Sequence, residues 1–137
     1  MKRILLTLVT MILTLGVAFA QGVEKKDYAQ GTFPKRVHDF GIIKEEKGPV
    51  KTTFEIVNTG NKPLVITDVT VSCGCTTPEY TKKPIAPGKS GKVKIVFNPI
   101  GRPGAFKKDL RVHTNGRERR TTLFIEGTVV PAPENEE

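Results

Sequence analysis

Apolar and polar residues alternate with period two along most of the chain, and no segment of helical length carries three-to-four-residue spacing. The first run, Lys35 to Ile43, is broken at Gly41 and followed by a charged turn from Glu45 to Pro49. In Val50 to Val57, Val50, Thr52, Phe54 and Ile56 share one face, and Lys51, Thr53 and Glu55 share the other. Leu64 to Val71 is apolar at most positions on both faces, which predicts a centrally placed strand. Glu79 to Ile85 reads as a Lys-rich edge strand, and Lys92 to Phe97 points Val93, Ile95 and Phe97 inward. Ala105 to Thr114 and Thr121 to Val130 close the series.

Turn chemistry separates these runs. Asn58-Thr59-Gly60-Asn61 is a turn by composition, and Ala86-Pro87-Gly88 suits the central positions of a type II turn. Asn98 to Gly104 is dense in Pro and Gly, and Asn115-Gly116 marks a hairpin. A two-residue hairpin loop sets Arg111 opposite Arg120, whereas a four-residue loop sets Leu110 opposite Leu123 and avoids the like charges. The longer loop is expected.

The pattern predicts an all-β chain, an immunoglobulin-like β-sandwich of about seven antiparallel strands over residues 35–130. Its expected core is Phe40, Phe54, Ile56, Leu64, Ile66, Ile95, Phe97, Phe106, Leu110, Leu123 and Ile125. Residues 21–34 read as a flexible leader and residues 131–137 as a disordered acidic tail.

Residues 1–20 change the picture of compartment. Lys2 and Arg3 precede an apolar run from Ile4 to Leu15, and Ala18-Phe19-Ala20 supplies a small-x-small cleavage pattern, with the cut between Ala20 and Gln21. The run is short of the ~20 residues that span a bilayer, so no transmembrane anchor is expected in the mature chain. Gln21 stands where a lipoprotein carries Cys, so the product should be exported and soluble, periplasmic or secreted, and not a lipoprotein.

Loss of Lys2 and Arg3 lowers the formal charge from +8 to +6. Residues 92–120 hold nine Lys/Arg against Asp109 and Glu118. Lys107, Lys108, Arg111, Arg117, Arg119 and Arg120 offer contact with an anionic glycan or lipid. The plainer reading is a solvated sheet with Lys along its edges. No aromatic residues interleave with the charge, so a nucleic-acid partner is not expected.

One local pattern carries distinctive chemistry. Both cysteines of the chain stand in Ser72-Cys73-Gly74-Cys75-Thr76, at the exit of a strand and closed by Pro78. On an extended strand such a pair lies ~6.5–7 Å apart at Cα, the limit of disulfide geometry, and a positive φ at Gly74 would fold it together. Three readings stand open: a local disulfide or packed thiols shaping a loop, a labile thiol-exchange pair, or two thiolates of a copper or zinc site. His38 and His113 are the remaining imidazoles, neither close in sequence. Ser72 and Ser90 lie in no nucleophile elbow, Glu45-Glu46 reads as a solvated turn, and Gly88 to Gly91 precedes a strand where a phosphate cradle needs a helix. Neither an enzyme nor a cofactor is expected.

H-D-F-G-I-I (38–43), F-E-I-V-N-T-G (54–60), V-S-C-G-C-T (71–76), P-I-A-P-G-K-S-G (84–91), V-K-I-V-F (93–97) and G-R-P-G-A-F (101–106) follow one another in order. In these the chain resembles the exported bacterial domain-of-unknown-function 1573 family over about residues 36–130. That family is similar in turn to immunoglobulin-like domains of the major sperm protein and pilus-chaperone type. The resemblance implies a fold and an exported location, and no activity.

The combined expectation is a non-enzymatic interaction or scaffold module of the cell envelope with a protein partner, displaying the Val71–Pro78 and Gly101–Gly104 loops. Ser72, Cys73, Gly74, Cys75, Thr76 and Arg102 are the candidate contact residues. The alternative is a thiol-redox or metal-handling protein using Cys73 and Cys75.

Overall fold

The computed structural model describes residues 27–134; the expected export signal, the expected cleavage site at Ala20 and Gln21, and residues 135–137 lie outside them. Eight strands form two four-stranded sheets. β1 (Gly31–Thr32), β3 (Val50–Asn58), β6 (Ser90–Phe97) and β5 (Thr76–Tyr80) make the first sheet in the order β1-β3-β6-β5. β2 (Val37–Lys44), β8 (Arg120–Val130), β7 (Gly104–Thr114) and β4 (Ile66–Val71) make the second in the order β2-β8-β7-β4. The expected all-β sandwich is what the chain forms, with a short 3-10 turn, Glu45–Lys47, as the helical element among the described residues.

Alternation decides which residues meet between the sheets. Ile56, Leu64, Val93, Ile95, Phe97, Val112, Leu123 and Ile125 are fully buried, and Phe40 and Phe106 pack against them half-buried. Phe97 and Phe106 stack across the layers with centroids 4.3 Å apart. Leu110 faces Leu123 and Arg111 faces Thr122, the register that the four-residue loop requires. Asn115 holds the hairpin from outside. Its Oδ1 accepts from the Val65 N–H at 2.8 Å, and its amide donates to the Pro63 carbonyl at 3.3 Å. Lys89 N–H donates to the Ala86 carbonyl and Gly88 has φ +77°, completing the type II turn.

Four expectations are corrected. Residues 27–34 are not a loose leader. Ala29 and Phe33 are buried, and Gly31 and Thr32 pair with Asn58 and Val57, which adds the eighth strand. Second, β2 and β8 run parallel, because the chain leaves β2 for the other sheet and returns to its neighbour only at the last strand. Third, β4 is an edge strand, not a central one. Its register shifts between Ile66 and Asp68, so Leu64 and Ile66 point inward before the shift and Val69 after it. The apolar residues on two nominal faces therefore line one real face. Fourth, the edge strand expected at Glu79–Ile85 lies earlier, at Thr76–Tyr80. Pro78 is tolerated there because an edge strand needs hydrogen bonds on one side only.

Candidate functional site

The Cys-Gly-Cys stretch is the crossing from the second sheet to the first. Val71 is the last residue of β4 paired to β7, opposite Leu110, and Ser72 extends the ladder by donating its N–H and Oγ to the Asp109 carbonyl at 3.3 and 3.1 Å. A tight turn follows, closed by the Thr76 N–H on the Cys73 carbonyl at 3.2 Å, and Thr76 then begins β5 opposite Phe97.

The turn brings the Cys73 and Cys75 Cα atoms to 5.2 Å, inside the disulfide range. The Cys75 N–H points at Cys73 Sγ, 3.0 Å away. Cys75 is buried at 4% exposure while Cys73 is half-buried, so the pair is anchored into the core from one side. Gly74 is exposed, and the positive-φ glycines among the described residues are Gly41, Gly48, Gly88, Gly101 and Gly104. The expectation that Gly74 folds the pair through a left-handed backbone is therefore wrong; an ordinary turn suffices. A Cβ at Gly74 would meet nothing within 4 Å. Gly74→Ala should leave the fold intact and raise unfolding free energy by about 0.4–1 kcal/mol through the unfolded chain. Chemical denaturation checks this, and a loss of stability would show that the turn depends on glycine.

The second loop is bonded to the first. The Asn98 N–H donates to the Cys75 carbonyl at 2.9 Å, directly after β6 ends. Asn98 Oδ1 then accepts from the Ile100 N–H at 3.1 Å, and the Arg102 N–H closes on the Pro99 carbonyl at 3.0 Å. Arg102 bends its guanidinium back, Nη1 donating to the Ile100 carbonyl at 2.9 Å. Gly101, at φ +73°, donates its N–H to Glu45 Oε1 at 2.9 Å, and the other oxygen of that carboxylate accepts from the Ala132 N–H at 3.4 Å. Four chain segments are thus tied together at one end of the sandwich.

Ser72, Cys73, Gly74, Cys75, Thr76 and Arg102 are brought to this end, but not as one displayed surface. Thr76 is buried at 6% exposure and belongs to the core, and Arg102 shapes its own loop. Two residues were missed. Ile100 stands at the tip of the pinned loop with 54% of its surface exposed, and Glu45 fastens that loop instead of standing free in solvent. The sequence signal for Ile100 was an apolar residue inside Asn98-Pro99-Ile100-Gly101, where turn chemistry favours polar ones.

Metal and anion readings gain no geometry. Among the described residues no three His, Cys, Asp or Glu side chains gather as a metal site. His113 touches the Thr70 hydroxyl at 3.3 Å on the second sheet, opposite Asp68. His38 lies on β2, at the far edge of that sheet from β4. Partial burial, then the charge of Lys35, lowers the His38 pKa, against a smaller opposing pull from Asp39. Four of the six cations are engaged or set apart. Lys107 pairs with Glu126 at 3.8 Å, Arg111 pairs with Asp109 at 3.4 Å, Lys108 is half-buried, and Arg117 lies over the Tyr28 ring at the hairpin end.

The family described as "Protein of unknown function (DUF1573)" matches residues 31–129. No curated protein matches the sequence. Among solved structures, a protein of unknown function from Porphyromonas gingivalis W83 is 18% identical with TM-score 0.63, over 73% of this chain and 46% of that one. The VesB protease of Vibrio cholerae is 20% identical with TM-score 0.61, over 72% of this chain and 32% of that one. The ASH/PapD-like domain of human CEP192 is 13% identical with TM-score 0.58, over 84% of this chain and 95% of that one. The chain thus spans less than half the length of the first two, and the likeness in all three is one of fold. No helix among the described residues is long and apolar enough to cross a membrane.

Proposed function

The chain belongs to the DUF1573 family, and from that premise we propose that it is an exported, non-enzymatic interaction module of the cell envelope that docks a protein partner with the Cys-turn end of its sandwich. Ile100 carries the reading: an aliphatic side chain, 54% exposed, on a loop held by Asn98, Arg102 and Glu45. A knob presented on a fixed loop loses little conformational entropy when it is buried, so most of its transfer free energy is kept in the complex. The Cys73–Cys75 pair, bonded as a disulfide in an oxidising compartment, holds the turn on which the loop leans. Export is supported by the charged start, apolar run and Ala-x-Ala pattern of residues 1–20.

The test is crosslinking in intact cells with Ile100→Asp. Burying an isoleucine contributes about 1.5–3 kcal/mol, so capture of the partner should fall roughly tenfold or more. The melting temperature should not move, because the side chain faces solvent. Undiminished capture, or recovery of the wild type with no reproducible partner, overturns the reading.

A further inference from the structure

From the free edge of the second sheet we infer a second docking surface, on residues apart from Ile100, whose occupant is another copy of this chain. β2 ends the order β2-β8-β7-β4, so one row of its backbone groups has no strand partner among the described residues. Two of the four large exposed hydrophobic side chains among the described residues stand on it, Val37 at 39% and Ile42 at 77% exposure. Both point to the outer face. Val37 lies beside the half-buried outward ring of Phe124, and Ile42 lies beside Thr128.

The bulge in β2 determines how two such edges can meet. Its register against β8 shifts between Asp39 and Ile42, with Gly41 at φ +66°. Outward side chains are therefore odd-numbered before the shift (Val37, Asp39) and even-numbered after it (Ile42, Lys44). In a two-fold antiparallel pairing that sets the segment before the shift against the segment after it, outward residues of the two copies meet only if odd numbers face even ones. One such register sets Val37 opposite Lys44, His38 opposite Ile43, and Asp39 opposite Ile42 of the partner subunit. It also brings Lys35 and Arg36, which lead into β2, towards the 3-10 turn of the partner subunit that carries Glu45 and Glu46, twice over by symmetry. Asp39 then lies diagonal to Lys44 of the partner subunit, and Val37 diagonal to Ile42 of the partner subunit. A slip of two residues one way sets Lys35 against Lys44, like charges, and a slip the other way carries Val37 past the end of the partner strand. Lys35 and Arg36 ahead of the strand, Glu45 and Glu46 in the turn after it, and Asp39 diagonal to Lys44 make this edge complementary to itself.

Sedimentation velocity of the protein, purified in the form the cell processes, tests the pairing across a concentration series. The wild type should shift from monomer towards dimer, and Ile42→Asp should stay monomeric at every concentration with its melting temperature unchanged. Lys35→Glu should weaken the dimer at least tenfold, and adding Glu46→Lys should restore it. Glu46 is the acidic residue to exchange because the Glu45 carboxylate already holds Gly101 and Ala132. A wild type monomeric throughout, a dimer indifferent to Ile42→Asp, or no rescue by the exchanged pair overturns the inference. Ile100→Asp should leave self-association unchanged, so this surface and the docking end fail or stand separately.

Discussion

Phe97→Ala should lower the free energy of unfolding by about 3–5 kcal/mol, the range for deleting a large aromatic side chain from a packed core. Phe97 is fully buried and ends β6, opposite Val50 of β3 on one side and Thr76 of β5 on the other. Its ring stacks on Phe106 of the facing sheet at 4.3 Å and an interplanar angle of 22°. The mutation therefore opens a cavity where both sheets and the Cys turn converge, and β-ladders on both flanks limit how far the backbone can close it. At about 4–8 °C per kcal/mol for a domain of this size, the melting temperature should fall by more than about 10 °C. Phe40→Ala, at a half-buried position on an edge strand, should cost clearly less. A urea titration giving a loss under about 1 kcal/mol for Phe97→Ala would mean that the layers do not meet where this packing puts them.

The same residue couples core to site. Asn98, next in the chain, donates to the Cys75 carbonyl and accepts from the Ile100 N–H. Softening the end of β6 should loosen the loop that displays Ile100 before it unfolds the sandwich, because the loop is anchored at that end through Asn98 and the buried Pro99.

Strands with uninterrupted alternation were legible in the amino-acid pattern: β3, β6, β7 and β8 bury the residues their period marks, Phe54 and Ile56 or Val93 and Ile95 among them. Bulged strands were not. A period-two reading carries one phase through Ile66–Asp68 or Asp39–Ile42, where the register slips by a residue, so it made β4 appear two-faced and central. β1 was invisible because two residues are too short to alternate, and the strand that pairs with them lies more than twenty positions away. At the site, the cysteine pair announced itself by chemistry. Ile100 did not, since an apolar residue in a loop becomes informative only once its exposure is known. Glu45 was read as solvated because its partners, Gly101 and Ala132, come from the far half of the chain.

Asn58 also looked like turn composition, and its replacement is the other large effect. The residue is fully buried, and every polar atom of its side chain is engaged. The amide donates to the carbonyls of Lys62 and Ile85 at 2.7 and 2.9 Å, while Oδ1 accepts from the N–H groups of Gly60 and Gln30 at 3.0 and 3.4 Å. One side chain thus joins β1, the turn after β3 and the approach to the type II turn, at the end of the sandwich away from the cysteines. Asn58→Ala strands buried donors and acceptors at about 1–3 kcal/mol each, so a total loss of several kcal/mol is expected. Asn58→Asp separates hydrogen bonding from shape. It keeps the volume but turns an amide that donates to two carbonyls into a carboxylate oxygen facing them, so the charged form is disfavoured in the fold and the folded-state pKa should rise. A raised carboxylate pKa means that the folded state binds the extra proton, so stability relative to wild type should fall as pH climbs above the unfolded carboxylate value, until the raised pKa is passed. Unfolding measured from acid to neutral pH should show the variant closest to wild type at the acid end. A pH-independent difference would mean that the carboxylate finds donors there, contrary to the hydrogen bonds of Asn58 with Lys62 and Ile85.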